Sequence, residues 1–329
     1  MLSRLFDWYP DESLVLYPAD FTLLYTVFDP HKLSPNLEAT RERTEKALEQ
    51  SMRHFTGKVL GPGQQPFDYD LFRLGVLDLI NDSMLGGNRS DFCESVLEVF
   101  LEAVKKVEAR TVLVKETSQS VHGLDFLSAG WKIIHLIRDP RDVYAAIHDG
   151  IESYYSKNGE SDLEILMSVI FRFSADIKSV RAMQTDYPTQ VHQLSFESLV
   201  EDKELVMRDA SAFLNIEFSR ELLAPTILGE PFVSNTFGQQ KISAGEISAI
   251  NIGRWRERIS LEEKEIIEFF LHYEMVELGL FSEKSPQLRL SVSNFYSRIN
   301  TLYFFRKKEF HERVLDDFVG GKSAGNTSN

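Results

Sequence analysis

The stretch Trp131–Asp149, WKIIHLIRDPRDVYAAIHD, decides the reading of this chain, because it describes a strand that ends on an arginine and turns at once into a helix. Lys132–Ile137 is dominated by β-branched and leucine side chains, as expected for an interior strand of a parallel sheet covered on both faces. Arg138 stands at its carboxyl end. Asp139 suits the N-cap, Pro140 suits the first helical position, and Asp142 lies three residues past the cap, so three start signals agree. A guanidinium beside free helix N–H groups at the carboxyl edge of a parallel sheet is where open α/β folds bind phosphate. Taken alone, the unit fits equally well an Arg138 that pairs with a neighbouring carboxylate.

Working outward, short runs rich in Val, Leu and Ile predict strands near Ser13–Tyr17, Arg110–Glu116, Lys132–Ile137 and Gln190–Phe196. Between them, apolar residues at three- and four-residue spacing predict helices over Leu37–Phe55, Phe67–Met84, Asp91–Glu108 and Asp162–Thr185, with a further one over Phe21–Phe28. Strands alternating with helices mean an α/β fold, a parallel sheet wrapped by helices. Gly57–Pro66 reads as a surface turn without phosphate-loop spacing. After Ser285-Pro286 the character changes. Residues 286–319 form an amphipathic stretch with Phe295, Ile299, Leu302, Phe305 and Phe310 in near-helical spacing, expected to pack on the domain or to carry homo-oligomerisation. Residues 320–329 hold a Gly-Lys-Ser triplet, but no strand or correctly spaced glycine precedes it, so they read as a disordered tail.

Composition narrows the function classes. With 329 residues and 43% hydrophobic content the chain can bury a large core, and one domain over residues 1–285 is the simplest division. A formal net charge of −14 argues against general nucleic-acid binding and against attachment to anionic membranes, so an anionic ligand must find a local cluster of Arg and Lys. The single Cys93 excludes an internal disulfide and suits a reducing cytoplasm. It lies in a polar helix start and reads as inert. No leader and no long uncharged apolar run is visible, so neither secretion nor membrane spanning is indicated. His122, His135 and His148 show no metal-ligand spacing, and no Ser-His-Asp or Cys-His context suggests covalent chemistry, so no metal is expected.

Several segments together resemble the sulfotransferases that use 3′-phosphoadenosine 5′-phosphosulfate. Arg138-Asp139-Pro140-Arg141 between strand and helix is similar to that family's 3′-phosphate motif, in which an arginine and a serine eight residues later hold the phosphate; position 146 here is alanine. Leu194–Asp202 resembles the family's "RYEDLVEDP" strand end, Ile252–Ser260 its "vgRWRerLs" segment, Leu261–Leu280 its closing helix and Val112–Thr117 its "EKTP"-like strand end. Leu14–Asp20 resembles "LLVLPGE". The resemblance covers roughly residues 1–283 and implies a P-loop nucleotide-kinase-like sulfotransferase fold whose first strand and 5′-phosphosulfate loop are missing here, since Met1–Pro10 resembles the helix that follows that loop.

The resemblance further implies transfer of a sulfuryl group to a hydroxyl or amine of a small-molecule or glycan acceptor, which requires in-line placement, charge neutralisation and proton removal. Lys115 becomes the candidate for the bridging oxygen and Asp20 the candidate base, with Arg138, Arg254, Ala146 and Phe196 toward the nucleotide. Ordinary roles remain for each: a lysine reaching out of the sheet edge, a capping aspartate, a surface ion pair, a core aromatic. Arg256 is expected to point away from the phosphate, and Trp255 to be core. The missing loop leaves two expectations, a shortened version of an active enzyme or a chain inactive as given; a non-catalytic relative serving as a binding or scaffold protein, and a kinase-like nucleotide enzyme, are the competing readings.

Overall fold

The computed structural model describes residues 2–10, 13–21, 36–81, 89–105, 109–116, 123–149, 162–232 and 243–280. The amphipathic stretch 286–319, the tail 320–329, the helix expected over Phe21–Phe28 and His122 lie outside the described residues.

Strands β1 (Leu14–Asp20), β2 (Thr111–Lys115), β3 (Ile133–Ile137) and β4 (Val191–Ser195) alternate with helices, as the hydrophobic pattern requires of an α/β chain. β1 and β2 pair in parallel, as do β3 and β4, the latter in unbroken register from Ile133↔Val191 to Ile137↔Ser195. Alternate side chains enter opposite layers. Leu14, Leu113, Ile134, Leu136 and Leu194 join one cluster with Leu5, Phe6, Leu199 and Met207, so both strand pairs rest on the same core layer. Val15, Tyr17, Val112 and Val114 pack instead among Phe72, Phe92 and Phe100, while Ile133 and Val191 meet Leu127, Val180 and Met183. Among the described residues no ladder joins β2 to β3. β3 is half-buried from Ile133 to Leu136 and buried at Ile137, with Ile134 and Leu136 packed in one cluster and Ile133 in another, so side chains from both faces of the strand are packed.

Helices α1 (Leu2–Leu5), α2 (Leu37–Ser51), α3 (Tyr69–Leu79), α4 (Arg89–Ala103), α5 (Gly123–Ser128), α6 (Pro140–Asp149) and α7 (Asp162–Asp186) follow in chain order, with α2, α3, α4 and α7 on the segments that the apolar spacing predicts. Asn36 and Asp68 accept from backbone N–H groups at the starts of α2 and α3. Cys93 is wholly buried in α4 and burial pushes its thiol pKa up, consistent with an inert role. Ser195 caps α8 (Phe196–Glu201), Asp202 caps α9 (Lys203–Leu214), and Asn215 in the left-handed conformation ends the latter. A short hairpin, β5 (Thr226–Ile227) with β6 (Glu230–Pro231), is tied through Asp7 to the turn that follows α1. Asp7 Oδ2 accepts from the Thr226 hydroxyl at 3.0 Å and from Gly229 N at 3.2 Å.

The chain divides into two compact units, Met1–Ile137 with Ser179–Ala249, and Arg138–Lys178 with the chain from Ile250 onward. All described strands belong to the first. The second has its own core, where Tyr144, Ile165, Leu166 and Ile170 pack against Ile266, Ile267, Leu271 and Met275. Its last helices follow α10 (Trp255–Arg258). The single closing helix expected over Leu261–Leu280 is two, α11 (Leu261–Phe270) and α12 (His272–Glu277), parted at Leu271 where the backbone leaves helical geometry. Ser260 and Glu263 form a reciprocal capping box at the start of α11.

Candidate functional site

In the first unit, Asp20 and Lys115 end β1 and β2 as register partners. From Leu16 to Asp20 β1 advances four residues (20 − 16) while β2 advances two (115 − 113), and this bulge, which contains Pro18 and Ala19, brings the carboxylate opposite the amine. Lys115 Nζ lies 2.8 Å from Asp20 Oδ1, and both side chains are about one-third exposed, 36% and 35%. A pair so open to water contributes at most about 1 kcal/mol to stability. Its chemistry is the more telling property, since it presents one cation and one proton acceptor at the carboxyl edge of parallel strands.

In the second unit, Arg138 and Asp139 bridge the end of β3 and the start of α6. Asp139 Oδ1 accepts from Arg141 N at 2.9 Å, which makes it the N-cap predicted from the sequence. Asp142 departs from the expected helix-start role. Its side chain is buried, and its two oxygens accept from Gly253 N at 2.6 Å and Trp255 N at 3.0 Å. Burial pushes the Asp142 carboxyl above its usual range, with those two N–H groups and the nearby Arg138 acting against the shift.

The two arginines selected for a phosphate meet on one residue. Arg138 Nη2 donates to the Asn251 carbonyl at 2.7 Å, and Arg254 Nη1 donates to Asn251 Oδ1 at 3.3 Å. Beneath them Arg141 is buried, bonded to Asp139 at 2.7 Å, to Glu268 at 2.8 Å and to the Leu280 carbonyl at 3.2 Å. Burial alone opposes its charge, but Asp139 and Glu268 outweigh that and raise the guanidinium pKa. The Arg141 and Arg256 guanidinium carbons lie 4.2 and 4.6 Å from the Trp255 ring centre, so that indole is occupied by cations. Arg256 thereby serves the packing of the segment, as expected.

Ala146 is half-buried on α6. Phe196, expected to close the fourth strand, instead opens α8 and is buried, because the Ser195 hydroxyl accepts from Ser198 N and starts the helix one residue earlier. Three residues important to the arrangement escaped the sequence reading. Asn251 carries no local signal, Arg141 was hidden behind Arg138, and Asp142 was accounted for by its place in a first helical turn. Among the described residues no group of His, Cys, Asp and Glu side chains is gathered that would hold a metal ion. No described helix is long and apolar enough to cross a membrane.

A family model described as "Sulfotransferase family" matches residues 30–220. No curated protein sequence matches the chain. Among solved structures, the chain is similar to the sulfotransferase domain from the curacin biosynthetic pathway at 15% identity and a TM-score of 0.47, covering 83% of this chain and 92% of that one. It is similar to the sulfotransferase domain of the Synechococcus PCC 7002 olefin synthase at 17% identity and a TM-score of 0.42, covering 82% and 88%. A sulfotransferase from Mycobacterium avium matches at 12% identity with a TM-score of 0.42, covering 87% and 74%.

Proposed function

The chain belongs to the sulfotransferase family, and from that premise we propose that it transfers a sulfuryl group from 3′-phosphoadenosine 5′-phosphosulfate to a hydroxyl or amine of a small-molecule or glycan acceptor. The observation that carries the choice of donor is the meeting of Arg138 and Arg254 on Asn251 beside the start of α6. Two guanidiniums offer charge-assisted donors of the kind a phosphate monoester requires. In this reading they hold the 3′-phosphate, with Ala146 where the family has a serine and Phe196 toward the nucleotide.

The donor supplies the activated sulfur. The acceptor oxygen forms a new bond to sulfur while the bond from sulfur to the phosphate oxygen breaks, leaving adenosine 3′,5′-bisphosphate. Asp20 takes the proton of the acceptor, and Lys115 neutralises the charge that grows on the departing oxygen. The ion pair at 2.8 Å places the two groups side by side at one strand edge, as both tasks require. The proposed setting is the cytoplasm, supported by a lone, buried cysteine.

The test is calorimetry with adenosine 3′,5′-bisphosphate, followed by transfer of labelled sulfate to a panel of hydroxyl and amine acceptors. The parent chain is expected to bind the bisphosphate and Arg138→Ala to lose ten- to a hundredfold in affinity, the worth of a charge-assisted contact of about 1.5–3 kcal/mol. Equal binding by parent and variant would overturn the assignment of Arg138. Binding with no transfer to any acceptor would favour a non-catalytic binding protein instead.

A further inference from the structure

The geometry points to Asp142 as a positioning residue for recognition of the donor's 3′-phosphate, acting through Arg254, an inference that rests on the function proposed above. Arg254 lies between two amides that the same carboxylate holds. Gly253 N donates to Asp142 Oδ2 and Trp255 N donates to Oδ1, so the Ile252–Gly253 and Arg254–Trp255 peptide units, which bracket the Gly253-Arg254 pair, are anchored to α6. Gly253 has φ +71°, the left-handed conformation that turns the chain here, and Arg254 follows at φ −61°, ψ −25°, starting α10. With this two-residue segment held at both ends, the departure direction of the Arg254 side chain is set before any ligand arrives. Its Nη1 contact with Asn251 Oδ1, and the contact of Arg138 with the carbonyl of that residue, then bring the two guanidiniums to one place.

A carboxylate is the group this task demands. It has an acceptor oxygen for each N–H, whereas an amide has one acceptor and would turn its NH2 toward the other N–H. Asp142 is only 1% exposed and its bond from Trp255 N is buried, so that donor has no water to replace a lost partner. Its charge also faces Arg138, which ties the two halves of the arrangement electrostatically.

The experiment compares affinity for adenosine 3′,5′-bisphosphate with that for adenosine 5′-monophosphate, which lacks the 3′-phosphate. Asp142→Asn is expected to lower affinity for the bisphosphate about tenfold and leave the monophosphate unchanged. A merely structural loss would weaken both alike. In an Arg254→Ala background, Asp142→Asn should add little further loss, because both act on one contact. If Asp142→Asn fails to fold, Asp142→Glu, which keeps both acceptors but displaces them, is expected to show the same selective loss. Equal weakening of both ligands, or losses that add fully in the double variant, would overturn the inference. A parent chain with no preference for the bisphosphate would overturn the donor reading, and the positioning role with it. A parent with that preference and an unaffected Asp142→Asn would overturn the positioning role alone.

Discussion

Lys115 and Asp20 face each other across neighbouring parallel strands, Nζ to Oδ1 at 2.8 Å, only because β1 bulges before Asp20. Both side chains of the pair are about one-third exposed, so its removal should leave the fold nearly intact, with a change of about 1 kcal/mol or less. Activity should respond differently. Asp20→Asn and Lys115→Ala are each expected to lower sulfate transfer by about a hundredfold or more, in line with the worth of a positioned base or charge. Transfer rates measured beside thermal unfolding check this, and a variant that transfers at the parent rate would remove that residue from the mechanism.

Arg141 should behave oppositely, mattering to stability before activity. Its removal takes the guanidinium from buried Asp139 and leaves buried Glu268 with Lys264 alone, 3.5 Å from Oε2. Arg141→Ala is expected to cost about 3–5 kcal/mol in denaturant unfolding. Arg141→Lys should recover little, since an ammonium cannot reproduce a fork that bonds both carboxylates and the Leu280 carbonyl at once. A lysine variant that unfolds with the parent would show that charge alone suffices.

Ala146→Ser would add a hydroxyl donor at the position where the resembled motif carries one. A neutral hydrogen bond contributes about 0.5–1.5 kcal/mol, so the variant is expected to bind adenosine 3′,5′-bisphosphate a few-fold more tightly. Calorimetry decides the matter. Weaker binding would mean that this face of α6 is turned from the phosphate.

Asp7 yields a pH signature. Burial raises its carboxyl pKa above 3.8, the bonds from Gly229 and Thr226 and the charge of Arg4 opposing the shift. The folded state therefore holds the proton more tightly than the unfolded chain, and this contribution to stability is present below about pH 3.8 and lost as pH rises through the raised value. One oxygen of Asp7 accepts both bonds, so Asp7→Asn preserves them while discarding the buried charge. Relative to the parent, the variant's Tm should rise as pH is raised from 3.8 through the Asp7 titration. A difference that stays flat with pH would show that Asp7 does not titrate in this window.

Local signals carried the fold, and tertiary ones were invisible. The start of α6 could be read from Asp139 and Pro140, because a cap and its amide lie within three residues. The four main strands emerged from short apolar runs for the same reason. Asp142 looked explained by its first-turn position, yet its oxygens serve amides 111 and 113 residues away. Asn251 joins two arginines through a carbonyl and a side-chain oxygen, and no composition or spacing announces such a meeting. The bulge that aligns Asp20 with Lys115 depends on the strand beside it. Each residue could be chosen from resemblance, but their pairing could not.

The partners of Arg141 have a consequence for the order in which this protein can be made. Glu268 and Leu280 follow it by 127 and 139 positions. At about 5–20 residues per second, a ribosome needs on the order of ten seconds to deliver them after Arg141 has been added. Through that interval Arg141 can reach Asp139 but neither its second carboxylate nor the closing carbonyl, and Trp255 is not there to lie beneath it. The Arg138 end of the molecule must therefore assemble late in synthesis, after strands that were translated long before it.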